Sequence, residues 1–168
     1  MNSTPTGRRE TIDGLDSIAF DRTFRAGIED VWAAVTESDR LARWIGAWTG
    51  DPASGAVDFR MLFEGDEHQA EVLTIRECGP APSGPRIARP RPGPQLAHDP
   101  DTRGTRRHHQ AHLQPVRGRR PCDGGWSGPG WDYYLDRLVA AETGGDPAEV
   151  DFGDYHPVHE KHYLEMFT

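Results

Sequence analysis

Between Gly79 and Pro121 the chain holds nine of its 14 prolines, nine arginines, two acids (Asp99 and Asp101) and no Phe, Trp or Tyr. Proline removes a backbone donor, and a stretch without aromatic residues and with few other large apolar ones has little with which to cover a core. Neither a 2-residue nor a 3.6-residue hydrophobic period runs through it, so residues 79–125 read as irregular. An irregular stretch of this length inside a compact domain constrains everything on either side of it.

The flanks have the opposite character, acidic and aromatic. The whole chain, 168 residues with a net charge of -8, suits one domain rather than two. The division expected is a flexible N-terminus over 1–16, one domain over 17–145 with the irregular 79–125 segment, and a tail over 146–168. Only 35% of residues are hydrophobic. No apolar run approaches the ~18–20 residues of a membrane span, and residues 1–16 lack the apolar core of a signal peptide. Cys78 and Cys122 are too few for a disulfide framework. The expectation is a cytoplasmic protein, with no membrane and no specific nucleic acid among its partners.

Along the first flank, Ile18, Phe20 and Phe24 alternate with polar neighbours from Ser17 to Arg25, a half-buried strand whose apolar face is interrupted by Arg22. Ile28, Val31, Trp32 and Val35 recur at helical spacing, with Glu29 and Asp30 in the first turn. A second short helix follows, with Ser38 as its N-cap and Leu41, Trp44 and Ile45 on its buried side. Val57, Phe59, Met61 and Phe63 alternate, Gly65-Asp66 supplies a turn, and a second alternating run spans His68 to Glu77. Beyond the central stretch, Gly128-Pro129-Gly130 opens a helix with Trp131, Tyr134, Leu135, Leu138 and Val139 on one stripe, closed by Gly144-Gly145. A short helix is expected near His159 to Phe167.

Two separated motifs carry a family resemblance. Val31-Trp32-Ala33-Ala34-Val35-Thr36 followed by Arg40-Leu41-Ala42-Arg43-Trp44-Ile45-Gly46, and then Gly130-Trp131-Asp132-Tyr133-Tyr134-Leu135-Asp136-Arg137-Leu138, resemble the family named after the activator of the heat-shock-protein-90 ATPase, within the SRPBCC or START-like superfamily. The resemblance covers roughly 17–78 and 128–141. It implies an α+β helix-grip fold, an antiparallel curved sheet around a long C-terminal helix, and a place in the stress response. It also implies three strands where this chain has its proline and arginine stretch.

A compensated frameshift accounts for that departure. Thr105 to Pro115, read one nucleotide later, admits Gly-Gly-Thr-Thr-Lys-Leu-Thr-Phe-Ser, an alternating strand. Gln95 to Thr102 admits Ser-Trp-His-Thr-Thr-Leu-Thr, and Gly79 to Ile87 admits another strand-like run. The alternative is a genuine basic insertion. With the central strands lost, the remaining apolar faces would have nothing to cover them, and the expectation is a product that folds poorly, with its function open to impairment.

Candidate chemistry is sparse. His108, His109 and His112, with Cys122, have metal-ligand spacing only in a helix that Pro115 and the flanking arginines oppose. His156, His159 and His162, with Asp154 and Glu160, form a second cluster that reads as solvated. Acid pairs Glu64 with Asp66 and Asp132 with Asp136 read as surface charge, unsuited to acid–base work unless desolvated. No nucleophile elbow, phosphate loop or dinucleotide fingerprint is present, and no catalytic residue, metal or cofactor is expected. The helix-grip resemblance implies an apolar cavity lined by Trp44, Trp48, Phe59, Met61, Phe63, Val72, Trp131, Tyr134 and Leu138, where most such residues also fill the core. The functions implied are binding of a hydrophobic small molecule or association with a chaperone protein, with a polyketide cyclase or hydrolase-like enzyme as the alternative.

Overall fold

The computed structural model describes residues 3–12, 15–65, 69–77, 86–88, 94–97, 109–115 and 124–167. Among the described residues, eight strands form two antiparallel four-stranded sheets. The first has the order β1 (Arg8–Ile12), β2 (Leu15–Phe24), β8 (His109–Pro115), β7 (Pro94–Ala97), and the second runs β3 (Gly46–Thr49), β4 (Ala56–Met61), β5 (Glu71–Glu77), β6 (Arg86–Ala88). β6 and β7 adjoin, bringing the two sheets edge to edge. Helices α1 (Ile28–Thr36) and α2 (Ser38–Leu41) form the hairpin between β2 and β3, α3 (Gly124–Thr143) packs on β2, and α4 (Glu160–Glu165) packs on α3. Among the described residues no helix is long and apolar enough to cross a membrane.

Three strands run through the stretch expected to have none, and the expectation of lost or irregular central strands is corrected at β6, β7 and β8. β8 pairs along β2 from Phe20 opposite Leu113 to Phe24 opposite His109, and β7 pairs along the other side of β8. Ladder hydrogen bonds are made by the backbone, which every residue but proline supplies, so a strand needs no side-chain alternation to be held between two partners. The prolines at 94 and 115 stand at the ends of β7 and β8, where the missing donor costs least. The predicted loss of strands from this stretch fails at these three segments. The rest of 79–125 lies outside the described residues, apart from the first two residues of α3.

Further boundaries move for local reasons. The N-terminal residues expected to be flexible include β1, held on β2 by ion pairs of Arg8 with Asp21 and of Arg9 with Asp16 at 2.9 Å. Ser38 is the first residue of α2 and not its cap. Its hydroxyl donates to the Trp48 carbonyl (2.6 Å) and accepts from the Trp48 amide (2.8 Å), fastening the short strand β3, which the sequence pattern did not reveal. α3 begins at Gly124, so Pro129 lies inside it.

Val31, Val35, Leu41, Trp44, Val57, Phe59, Leu73, Tyr134, Leu135 and Leu138 form the core, joined by Phe20 and Phe24 from β2 and by Tyr155 and Tyr163 from the tail. Tyr163 is fully buried because two glycines make room for its ring. A Cβ on Gly7 would stand 2.7 Å from Tyr163 Cε1, and one on Gly128 would fall on the ring itself.

Candidate functional site

The interior between α3 and the β3–β4–β5 sheet follows from strand alternation. Val57, Phe59 and Leu73 are buried while Asp58, Arg60 and Thr74 face out. Of the nine candidate lining residues, Trp44, Phe59, Tyr134 and Leu138 lie in the buried core, and Trp48, Met61 and Trp131 pack against it partly exposed. The indole N–H groups are tied to α1, Trp44 Nε1 donating to the Ala34 carbonyl and Trp48 Nε1 to the Thr36 carbonyl, each at 2.9 Å. Their polar edges are thereby satisfied and the ring faces left for apolar contact. Val72 is not part of this group. It pairs with Asp58 on the outward face and is 58% exposed. Phe63, just past the end of β4, is 40% exposed.

The Phe63 ring lies instead over a charge. The Arg137 guanidinium carbon stands 3.9 Å from the Phe63 ring centroid and 5.3 Å from that of Tyr133. Arg137 is only 4% exposed. Its Nε donates to the Trp44 carbonyl (3.0 Å), and its Nη1 donates to the Tyr133 hydroxyl (3.2 Å) and the Pro147 carbonyl (2.8 Å). Beside it, the Tyr134 hydroxyl donates to Glu64 Oε1 at 3.2 Å. Burial first, and then the Glu64 charge, push the Tyr134 phenol well above its ordinary value, so it is a neutral donor at physiological pH.

A second polar group lies on the other side of α3. Arg22, the interruption on the inward face of β2, meets Asp132 at 3.2 Å and Asp136 at 2.9 Å. Asp132, 1% exposed, also accepts from the Thr6 amide (3.3 Å), the Thr6 hydroxyl and the Tyr163 hydroxyl. Tyr163 in turn accepts from the Gly7 amide at 3.0 Å. Asp136 accepts from the Tyr155 hydroxyl at 2.7 Å. His159 Nε2 donates to the Ser3 carbonyl (2.8 Å), and Nδ1 stands 3.6 Å from Asp132 Oδ2. Burial, followed by the Asp132 charge, raises the Tyr163 phenol; burial and the bond to Asp136 raise that of Tyr155. The knot joins the N-terminal segment, β2, α3 and α4.

The reading of Asp132 as surface charge is therefore corrected, because α3 is covered there by β2 and the tail, whereas the Asp136 side chain remains 38% exposed. His159 is buried, the His156 ring stacks on Phe152, and the His162 ring meets Tyr163 edge-on. Among the described residues no group of three or more His, Cys, Asp or Glu is placed to hold a metal ion. His109 and His112 lie in a strand, where helical spacing does not apply, and Asp66, His108 and Cys122 lie outside the described residues. Sequence reasoning missed Asp132, Arg137 and Tyr163 as interior polar groups. For Asp132 the available signal was Arg22, a cation on an apolar face that required a buried acid opposite it.

No protein-family profile matches the chain. No curated protein matches it either. Solved structures do. A conserved protein of unknown function from Enterococcus faecalis is similar with a TM-score of 0.67 at 16% identity, over 96% of this chain and 90% of that one. CalU16 from Micromonospora echinospora, in its solution structure, gives 0.66 at 19% identity over 99% and 98% of the two chains. A protein from Bordetella parapertussis gives 0.60 at 18% identity over 97% and 92%. These likenesses establish the fold that the chain shares with them, an α+β arrangement of antiparallel sheets with a C-terminal helix, compatible with a helix-grip architecture.

Proposed function

We propose that this chain is a START-like domain that binds a hydrophobic small molecule between α3 and the β3–β4–β5 sheet, without catalysing a reaction on it. The observation that carries the reading is the convergence of Trp44, from the turn after α2, with Trp48 of β3, Phe59 and Met61 of β4, and Trp131, Tyr134 and Leu138 of α3 on one core, with both Trp44 and Trp48 indole N–H groups already bonded to backbone. Apolar surroundings with a few fixed polar groups are what small-molecule sites are made of. The alternative, a polyketide cyclase or hydrolase-like enzyme, needs a reactive acid or histidine open to that interior. The buried acid Asp132 is instead engaged by Thr6, Arg22 and Tyr163, and His159 Nε2 is engaged by Ser3, which favours binding over catalysis.

Calorimetric titration with neutral apolar probes, 1-naphthylmethanol, octanol and dodecanol, tests the proposal. Saturable binding of at least one, weakened by about tenfold in Trp48→Ala, is the expected outcome. No saturable binding of any probe overturns it.

A further inference from the structure

We infer that Arg137 anchors an acidic group on the ligand, so that the molecule bound is a small apolar carboxylic acid; the inference rests on the binding function proposed above. The case begins with a contrast among the arginines. Arg22, buried on β2, has two carboxylates, and Arg40 and Arg43 share Glu142. Arg137 is the most deeply buried of the four, yet no carboxylate among the described residues lies within ion-pair distance of it. Its hydrogen-bond partners are two carbonyls and a phenol, all neutral. A buried cation with only neutral partners keeps much of its desolvation cost, and a carboxylate supplied from outside the chain offsets it.

The geometry leaves a place for that carboxylate. Nε and Nη1 are committed, whereas Nη2 makes no hydrogen bond to a described residue, which leaves its two N–H groups to donate to an incoming carboxylate. The flat face is covered by Phe63, which lies past the end of β4 and is still 40% exposed, so the ring can shift without breaking a ladder bond. It supplies an apolar wall beside the charge. Nε is held by the backbone carbonyl of Trp44, a residue of the apolar core. A ligand with an apolar body and one carboxylate satisfies both. Glu64, which accepts from Tyr134 in the turn that carries Phe63, is the negative charge nearest in sequence to this cover and disfavours the incoming anion.

Calorimetry with 1-naphthoate and its neutral analogue 1-naphthylmethanol at low salt tests the anchor. In the wild type the acid is expected to bind at least about tenfold more tightly than the alcohol, a difference of about 1.4 kcal/mol. Arg137→Met is expected to abolish that preference and leave the alcohol's affinity within about twofold. Because Arg137 is buried and its replacement can impair folding, Glu64→Gln on the surface provides the independent arm, with an expected rise of about threefold in affinity for the acid alone. Equal affinity for the two probes in the wild type overturns the anchor while leaving the apolar site standing. Acid preference that survives in Arg137→Met, or that does not rise in Glu64→Gln, also overturns it. Binding of neither probe, nor of octanol or dodecanol, overturns the anchor together with the binding function.

Discussion

Arg22 on β2 and Asp132 on α3 meet at 3.2 Å in the interior, Arg22 being 8% and Asp132 1% exposed, and their pairing fixes the helix on the sheet. Removing Asp132 leaves Arg22 with Asp136 as its carboxylate partner and strips the Thr6 and Tyr163 hydroxyls of a buried acceptor. Asp132→Ala is expected to cost about 3–5 kcal/mol in urea unfolding. Arg22→Met combined with Asp132→Leu is expected to cost less than the sum of the two single changes. Strict additivity would remove the pair from the account.

The Tyr163 phenol donates to Asp132 and accepts from Gly7, and its pKa is raised by burial first and by Asp132 second. A phenol raised in the folded state contributes stability that is fully present below the unfolded value of about 10 and is lost as pH rises beyond it. Unfolding free energy is therefore expected to fall with pH above about 10 in the wild type, and to fall less steeply in Tyr163→Phe. At neutral pH that variant is expected to lose about 1–3 kcal/mol through the partners it abandons. Denaturant curves at several pH values measure both effects.

Two glycines of α3 make an internal control. Gly128 faces the Tyr163 ring with no room for a Cβ, whereas a Cβ on Gly130 meets nothing within 4 Å. Gly128→Ala is expected to destabilise by about 1–3 kcal/mol through overpacking. Gly130→Ala is expected to stabilise by about 0.5–1 kcal/mol through lower unfolded-state entropy. Thermal unfolding of the pair distinguishes the two environments, and equal effects would contradict the placement of Tyr163.

The helical hairpin, the β4–β5 hairpin and the stripe of α3 were legible because each carries a hydrophobic period that matches its geometry: Val31 with Val35, Val57 with Phe59, Tyr134 with Leu138. Arg137 and Asp132 were not legible as interior groups, since charges within an amphipathic helix ordinarily mark its wet side, and only the tail folding back over α3 buries them. The family resemblance led to the expectation of helix-grip strands in the centre, and the composition argued against them. β6, β7 and β8 lie where the shifted reading offers strand-forming residues, β8 within Thr105 to Pro115 and most of β7 within Gln95 to Thr102.

Sequencing the coding DNA across Cys78 to Trp126 checks that coincidence. A reading frame one nucleotide on that is open and encodes alternating β-branched and aromatic residues is the expected result. Stop codons or no alternation there would leave the genuine basic insertion as the explanation.

The account as a whole depends on β8 closing the first sheet between β2 and β7. Hydrogen exchange at the amides of residues 109–114 tests this most directly. Residues 109–113 stand opposite Phe24 to Phe20 and residue 114 opposite Gln95, so most of these amides are expected to exchange as slowly as the β2 amides. Exchange there at the rate of an unstructured peptide, while β2 and α3 remain protected, would contradict the closed sheet.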